Sequence, residues 1–363
     1  MLFYLTNSLI VSKESPEYSK ILSAIKYLGI VAYESYHLLL GDNDVIKYYR
    51  EAFVHDNMVF PVLNNIYQNE AISSVPREIT YYIEIVKENP SGYIRGNTKV
   101  QQLSYTHFDR LAKCNSTVLL VEDQNDATFY NHVLEWYKIE RGIKINHKLE
   151  HRSGGGGNTA RELSNLEASS NICIAIIDTD IRYPGSVIKE DSTAHKCQSI
   201  HVESPISHLY LLEVHELENL VPLNYIDKQE IGGGKERAAA KKHLDFLRKE
   251  ADAILPYYDF KKGLKISSII SGDVEMSFAQ KCFECIPEGE RKAVNIEAYI
   301  QNKLNDQIFV GFGTSILPNT LDYLAKNNFS EAPVLLDFQR QHWIGIAQKL
   351  LDWGIARNNE SFS

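Results

Sequence analysis

The sequence predicts an α/β protein whose parallel sheet core is flanked by mainly helical N- and C-terminal regions. Three observations predict it. Two short apolar runs, Thr117–Val121 and Ile172–Ile177, each end in carboxylates: Glu122-Asp123-Gln124-Asn125-Asp126 and Asp178-Thr179-Asp180. Runs of that length, rich in Val and Ile, read as buried parallel strands. Between them the pattern alternates strand, helix, strand, helix, which is the rhythm of a parallel sheet covered by helices.

Residues 1–110 read as mainly helical. Ser15-Pro16-Glu17 offers a cap followed by proline at the first helical position. Ile21, Leu22, Ile25, Leu28, Ile30 and Val31 then suit a buried helical face. Gly41-Asp42-Asn43-Asp44 breaks the pattern, and Pro76-Arg77-Glu78 reads as a second helix start, ended before Asn89-Pro90-Ser91-Gly92. No chemistry is read in this segment. Its tyrosines and the isolated His37 and His55 fit packing roles.

Residues 111–226 read as strand 117–121, helix 127–139, strand 144–149, a glycine turn, helix 159–168, strand 172–177 and a strand near 208–213. Asp126 is placed to cap the first of these helices. Residues 227–363 read as helical again, with a helix from Lys235 to Glu250 and a last one over Val334–Arg357. Trp343, Ile346, Leu350 and Trp353 make an apolar stripe on that last helix, and Asn358–Ser363 is expected to fray.

The chain of 363 residues is long enough for a large core, and its net charge of −9 argues against a nucleic-acid coat protein. No stretch approaches the roughly 20 apolar residues of a membrane span. Met1–Asn7 lacks the basic segment of a signal peptide, and five cysteines, an odd number, fit a reduced, cytoplasmic protein.

The chemistry lies with the acids. In open α/β sheets, ligands bind where parallel strands end. Asp178 and Asp180, two apart past a strand, point to one side if the chain stays extended. They can then share a hard divalent cation or bridge two, with Glu122 leaving its own strand at the same edge. Read without any family, these acids are equally caps and solvated loop ends.

Four stretches together resemble TOPRIM domains, specifically OLD-like TOPRIM nucleases. Val121-Glu122-Asp123-Gln124-Asn125-Asp126-Ala127 is similar to the first motif, a strand ending in Glu-Gly with an Asp shortly after. Ile176-Ile177-Asp178-Thr179-Asp180 is similar to the Asp-x-Asp motif. Ser153-Gly154-Gly155-Gly156-Gly157-Asn158 resembles the glycine-rich turn, and Glu216-Leu217-Glu218-Asn219-Leu220 the Glu-Asn motif. The resemblance covers residues 114–225. It departs at Asp123, where the family usually has glycine.

Gly232-Gly233-Gly234-Lys235-Glu236 lacks Walker A spacing and the Ser/Thr that follows it. The chain therefore resembles the stand-alone TOPRIM effectors of anti-phage defence systems such as PARIS. The resemblance implies a nuclease using Mg²⁺ or Mn²⁺, two ions in all. Glu122, Asp178 and Asp180 would be the catalytic ligands, and Asp126 and Glu218 would complete the second metal site. It implies DNA as substrate, or a structured RNA such as tRNA, a separate ATPase subunit as partner, and compatibility with a homo-oligomer. A catalytically silent assembly subunit is the alternative, which the residue at Asp123 favours, and primase-type nucleotidyl transfer is a third reading.

Two further groups are singled out. Lys235, Arg237, Lys241 and Lys242 begin a basic run that also holds Arg248, Lys249, Lys261, Lys262 and Lys265. It reads as a grip on a nucleic-acid backbone or as a solvated helix face with Glu236, Asp245 and Glu250 interleaved. Cys282 and Cys285, with Cys197 and His201, give a weak zinc pattern for which packing is the simpler reading.

Overall fold

A computed structural model describes residues 1–69, 75–228, 234–302, 306–327 and 329–357, without the side chains of residues 234–236. Ile231–Gly233, the Lys235 side chain and Asn358–Ser363 therefore lie outside the described residues. The chain is mixed α/β and parallel-rich. It forms two compact units, one of Met1–Ile176, Ile200–Tyr210 and Gly345–Ser363, the other of Ile177–Ser199 and Leu211–Ile344. These do not follow the segments expected at 1–110, 111–226 and 227–363.

The N-terminal region corrects the expectation of a mainly helical segment. Strands β1 (Leu2–Leu5), β2 (Leu38–Gly41), β3 (Tyr81–Val86), β4 (Gly92–Arg95) and β5 (Thr98–Ser104) form a sheet in the order β2-β1-β3-β5-β4. Its first four strands are parallel neighbours, and only β4 runs antiparallel, against β5. The helix expected after Pro76 is in fact β3. Tyr81-Tyr82-Ile83-Glu84-Ile85-Val86 is aromatic and β-branched, a strand composition. All six residues are buried, so no period-two alternation marks it. Glu84 is tolerated there because Tyr93 Oη (2.6 Å), Gln102 Nε2 (3.1 Å) and Arg95 Nη2 (3.2 Å) donate to it. Helix α1 (Tyr18–Tyr33) forms as expected and buries Ile21, Ile25, Leu28 and Val31. His37 is a packing histidine, fully buried, with Nε2 3.0 Å from the Cys114 carbonyl.

The second sheet holds β6 (Val118–Val121), β8 (Glu150–Ser153), β9 (Cys173–Ile177) and β10 (Ser207–Leu211), in the order β10-β9-β6-β8. β6 runs parallel to both β8 and β9. A short strand, β7 (Asn146–His147), pairs instead with Ile355–Ala356. The Gln124–Arg141 helix, α2, joins β6 to β7, and the Thr159–Ala168 helix, α3, precedes β9. The alternation of strands and helices is present, but the sheet strand expected at 144–149 is β8 at Glu150–Ser153, and the loop expected before β10 contains a helix, Thr193–Ile200.

Asp352, at the end of the last helix (Asp337–Gly354), is fully buried in the first unit. It accepts from Thr80 N–H (2.8 Å), Thr80 Oγ1 (2.6 Å) and Gln348 Nε2 (3.2 Å). Burial outweighs these bonds and pushes its carboxyl up to about 6. The fold thus favours protonated Asp352, and stability is lost as pH rises from the unfolded value through about 6. Asp352→Asn is expected to stabilise the protein at pH 7.5 by up to about 3 kcal/mol and to have little effect at pH 4. Urea unfolding at the two pH values checks this. Equal effects at both would remove Asp352 as the titrating group.

In the second unit, β11 (Gly263–Lys265) and β12 (Gln307–Val310) pair antiparallel. The crossing demands glycine. Gly263 has φ +74°, and a Cβ there would lie 2.1 Å from the Phe309 carbonyl oxygen. The turn before it, Asp259–Gly263, closes with Gly263 N–H donating to the Asp259 carbonyl (2.8 Å). Lys262 N–H also donates to Asp259 Oδ1 (2.6 Å). That turn delivers Asp259 and Lys261 to the site described next. Among the described residues, no helix is long and apolar enough to cross a membrane.

Candidate metal centre

β9 ends at Ile177, and the Asp-x-Asp triplet follows. Thr179 is buried, with its hydroxyl 2.8 Å from the carbonyls of both Leu212 and Val214. Asp180 N–H donates to the His215 carbonyl (2.9 Å). The segment after β10 therefore fixes the loop that carries the acids. Asp180 adopts φ +55°, a left-handed conformation that Asp tolerates better than most residues. The chain is not extended through 178–180, so the strand geometry expected to align Asp178 with Asp180 does not apply.

The Glu-Asn motif is a short 3₁₀ turn, Leu217–Leu220, entered at Glu216. Asn219 is a brace. Its Oδ1 accepts Glu216 N–H (2.8 Å), while its Nδ2 reaches the carbonyls of Leu255 (2.5 Å) and Tyr258 (2.8 Å). Gln339 Nε2 and Trp343 Nε1 hold the same turn by donating to the carbonyls of Val221 (2.9 Å) and Leu220 (2.9 Å). Sequence order alone could not say that Asn219 ties this turn to the segment bearing Asp259 and Lys261.

Lys261 Nζ lies 3.2 Å from Glu216 Oε2 and 3.1 Å from Glu218 Oε1, and both glutamates are buried. Burial opposes its charge, but Glu218, Glu216 and then Asp178 outweigh it and raise the lysine above its ordinary value. Burial pushes Glu216 up, with Glu218 and Asp259 adding and His215 and Lys261 opposing. Glu218, expected as a metal ligand, thus has an ammonium as its neighbour. Lys261 was grouped with the surface run in sequence, where nothing marked it as the counter-charge of these acids.

His215 was not anticipated. It is 0% exposed, and its Nε2 is 3.6 Å from both Glu216 Oε1 and Asp259 Oδ2. Those separations exceed hydrogen-bond range, and neither ring nitrogen has a hydrogen-bond partner. One donor atom each from Asp180, His215 and Glu216 lie within 4.8 Å of one another. This donor set, with a buried imidazole that makes no hydrogen bond in range, fits a divalent cation. The available signal was His215 standing directly before the Glu-x-Glu-Asn stretch.

Glu122 and Asp126 belong to the first unit. Glu122 follows β6 and is half-buried. Its carbonyl accepts from Ser153 Oγ (2.9 Å) and Gly155 N–H (3.1 Å), so the glycine turn folds onto the end of the strand. Gly154 is required there, since a Cβ would meet Thr159 Cα at 2.5 Å. Asp123, rather than Asp126, is the N-cap of α2. Its Oδ1 accepts Asn125 N–H (2.9 Å), and Asp126 Oδ2 answers by accepting Asp123 N–H (2.8 Å). The backbone at Asp123 is extended, φ −130°, so glycine is not needed. Asp123→Ala is expected to cost about 1 kcal/mol and Asp123→Gly only a few tenths. Thermal denaturation of both variants checks the ranking, and equal losses would refute the capping role.

The basic run does not form one open face. Arg237 is 8% exposed, its guanidinium 5.9 Å from the Phe312 ring centroid, and burial lowers its pKa. Lys241 donates to the Asp227 carbonyl (2.8 Å), Lys242 pairs with Glu290, and Arg248 pairs with Asp227 (2.9 Å). Cys197, Cys282 and Cys285 are buried, and none joins a metal-type cluster among the described residues. No protein-family model, curated protein or solved structure matches the chain.

Proposed function

We propose that the chain is a divalent-metal-dependent nuclease hydrolysing phosphodiester bonds of DNA, or of a structured RNA such as tRNA, as the effector of an anti-phage defence system with a separate ATPase partner. The carrying observation is the cluster after β9, where Asp180, His215 and Glu216 bring donor atoms within 4.8 Å of one another. Asp180, His215 and Glu216 would hold an ion in the second unit. A bound ion supplies Lewis-acid stabilisation of phosphoryl charge and a nucleophile at neutral pH. Lys261, held protonated by Glu216 and Glu218, is a fixed positive charge for an anionic substrate. Asn219 keeps the turn and the Lys261 segment in register, so the charges are set before substrate arrives.

Purified protein with supercoiled plasmid and with tRNA, under Mg²⁺ and under Mn²⁺, tests the proposal. Metal-dependent cleavage that a chelator abolishes is the expected result. Binding without cleavage under every metal, with and without the ATPase, would establish the silent assembly role instead. Nucleotide incorporation would establish primase-type transfer.

A further inference from the structure

We infer that Asp180, His215 and Glu216 form a mixed nitrogen–oxygen site selective for a later first-row transition dication such as Co²⁺, Ni²⁺ or Zn²⁺ over Mg²⁺. The inference deepens the proposed metal dependence and rests on that reading for the ion's use, though not for its binding. Three observations carry it.

The first is the imidazole. A fully buried ring with two unpartnered nitrogens costs about 1–3 kcal/mol per unsatisfied polar group. Coordination by one ring nitrogen would remove that cost at that atom. The second is the division of labour at Glu216. Lys261 engages Oε2, whereas Oε1 is the oxygen beside His215 Nε2, at 3.6 Å. Two donors each about 2.1 Å from one ion are about 3–4 Å apart, so this spacing suits a shared metal. The third is access. Asp180 is exposed while His215 and Glu216 are buried, so an ion could enter from solvent on the Asp180 side and keep open positions there. The ring is also held in place through its own backbone, with His215 N–H donating to the Pro256 carbonyl (2.7 Å) and its carbonyl accepting Asp180 N–H (2.9 Å).

Selectivity follows from the nitrogen. Mg²⁺ prefers an octahedral shell of oxygens and retains its waters, whereas imidazole suits later first-row ions. Asp259 Oδ2, held 3.8 Å from the Arg182 guanidinium, lies 3.6 Å from the same His215 Nε2 and adds an oxygen beside that nitrogen.

The test is Co²⁺ titration of the full chain, followed by visible absorption. One equivalent should give a saturable ligand-field band, displaced by comparable Zn²⁺ and unmoved by about a tenfold excess of Mg²⁺. Asp180→Asn retains an exposed side chain that accepts the left-handed backbone. It should fold normally by circular dichroism and weaken Co²⁺ binding about tenfold or more. His215→Gln should abolish the band. No band in the wild type, Mg²⁺ displacing Co²⁺ at equal concentration, or Asp180→Asn binding as tightly as wild type would each overturn the inference. Cleavage supported by Mg²⁺ without a Co²⁺ band would overturn this site alone. A Co²⁺ band in a protein that cuts no nucleic acid would overturn the nuclease reading alone.

Discussion

Glu122→Ala and Asp178→Ala are each expected to reduce metal-dependent cleavage by at least about a thousand-fold while leaving the chain folded. The two residues follow β6 and β9, parallel neighbours paired from Val118↔Cys173 to Leu120↔Ala175. The chain runs from β6 out to β8, then returns to β9 on the other side of β6, so the strand order reverses between β6 and β9. Both side chains are half-buried, and the bonds that fix Glu122 to the glycine turn use its backbone carbonyl, which alanine keeps. Plasmid nicking and tRNA cleavage, paired with thermal denaturation, separate lost chemistry from lost structure. Asp126→Ala is the instructive contrast, because it removes the acceptor of Asp123 N–H and should lower stability as well. Wild-type rates in both Glu122→Ala and Asp178→Ala would assign any observed cleavage to a contaminant.

In the central sheet β6 and β9 were legible because they are short, apolar and followed by acids, whereas β8, Glu150-His151-Arg152-Ser153, has no apolar run and was read upstream, at 144–149. The N-terminal sheet was not, for a physical reason visible at β3. A strand buried on both faces has no alternation, and Tyr81–Val86 sits just after Pro76-Arg77-Glu78, an apparent helix start. Tertiary burial decided what local signals left ambiguous. In the candidate site, Asp178, Asp180 and Glu218 were legible as acids after strands. Their partners were not. Lys261 and Asp259 arrive through a turn that depends on Gly263, more than 40 positions along the chain from Glu216. His215 stands directly before the Glu-x-Glu-Asn stretch, but its burial and its approach to Asp180 are set by the fold.

Lys261→Met is expected to destabilise the second unit by about 3–5 kcal/mol at neutral pH. The ammonium is the one positive charge recorded within 4 Å of the buried Glu216 and Glu218 carboxylates among the described ion pairs, apart from His215 when protonated. Removing it leaves two like charges desolvated together, with Asp178 adding to the same field. Methionine nearly keeps the volume, so the loss reports charge and not a cavity. The pH dependence fixes the cause. Glu216 is already raised by burial, and losing Lys261 raises it further. A carboxyl raised in the folded state contributes stability that is complete below its unfolded value and lost as pH rises through the folded one. The variant's deficit should therefore shrink at pH 5 and widen at pH 7.5, as urea unfolding would show. Lys241→Met, which removes an exposed donor to the Asp227 carbonyl, should cost no more than about 0.5 kcal/mol at either pH. Mn²⁺ should restore part of the stability of Lys261→Met, since a dication bound to Glu216 replaces some of the missing charge. Equal losses in Lys261→Met and Lys241→Met at pH 7.5 would show that Lys261 is only another surface lysine, and the charge balance assigned to the site would fall with it.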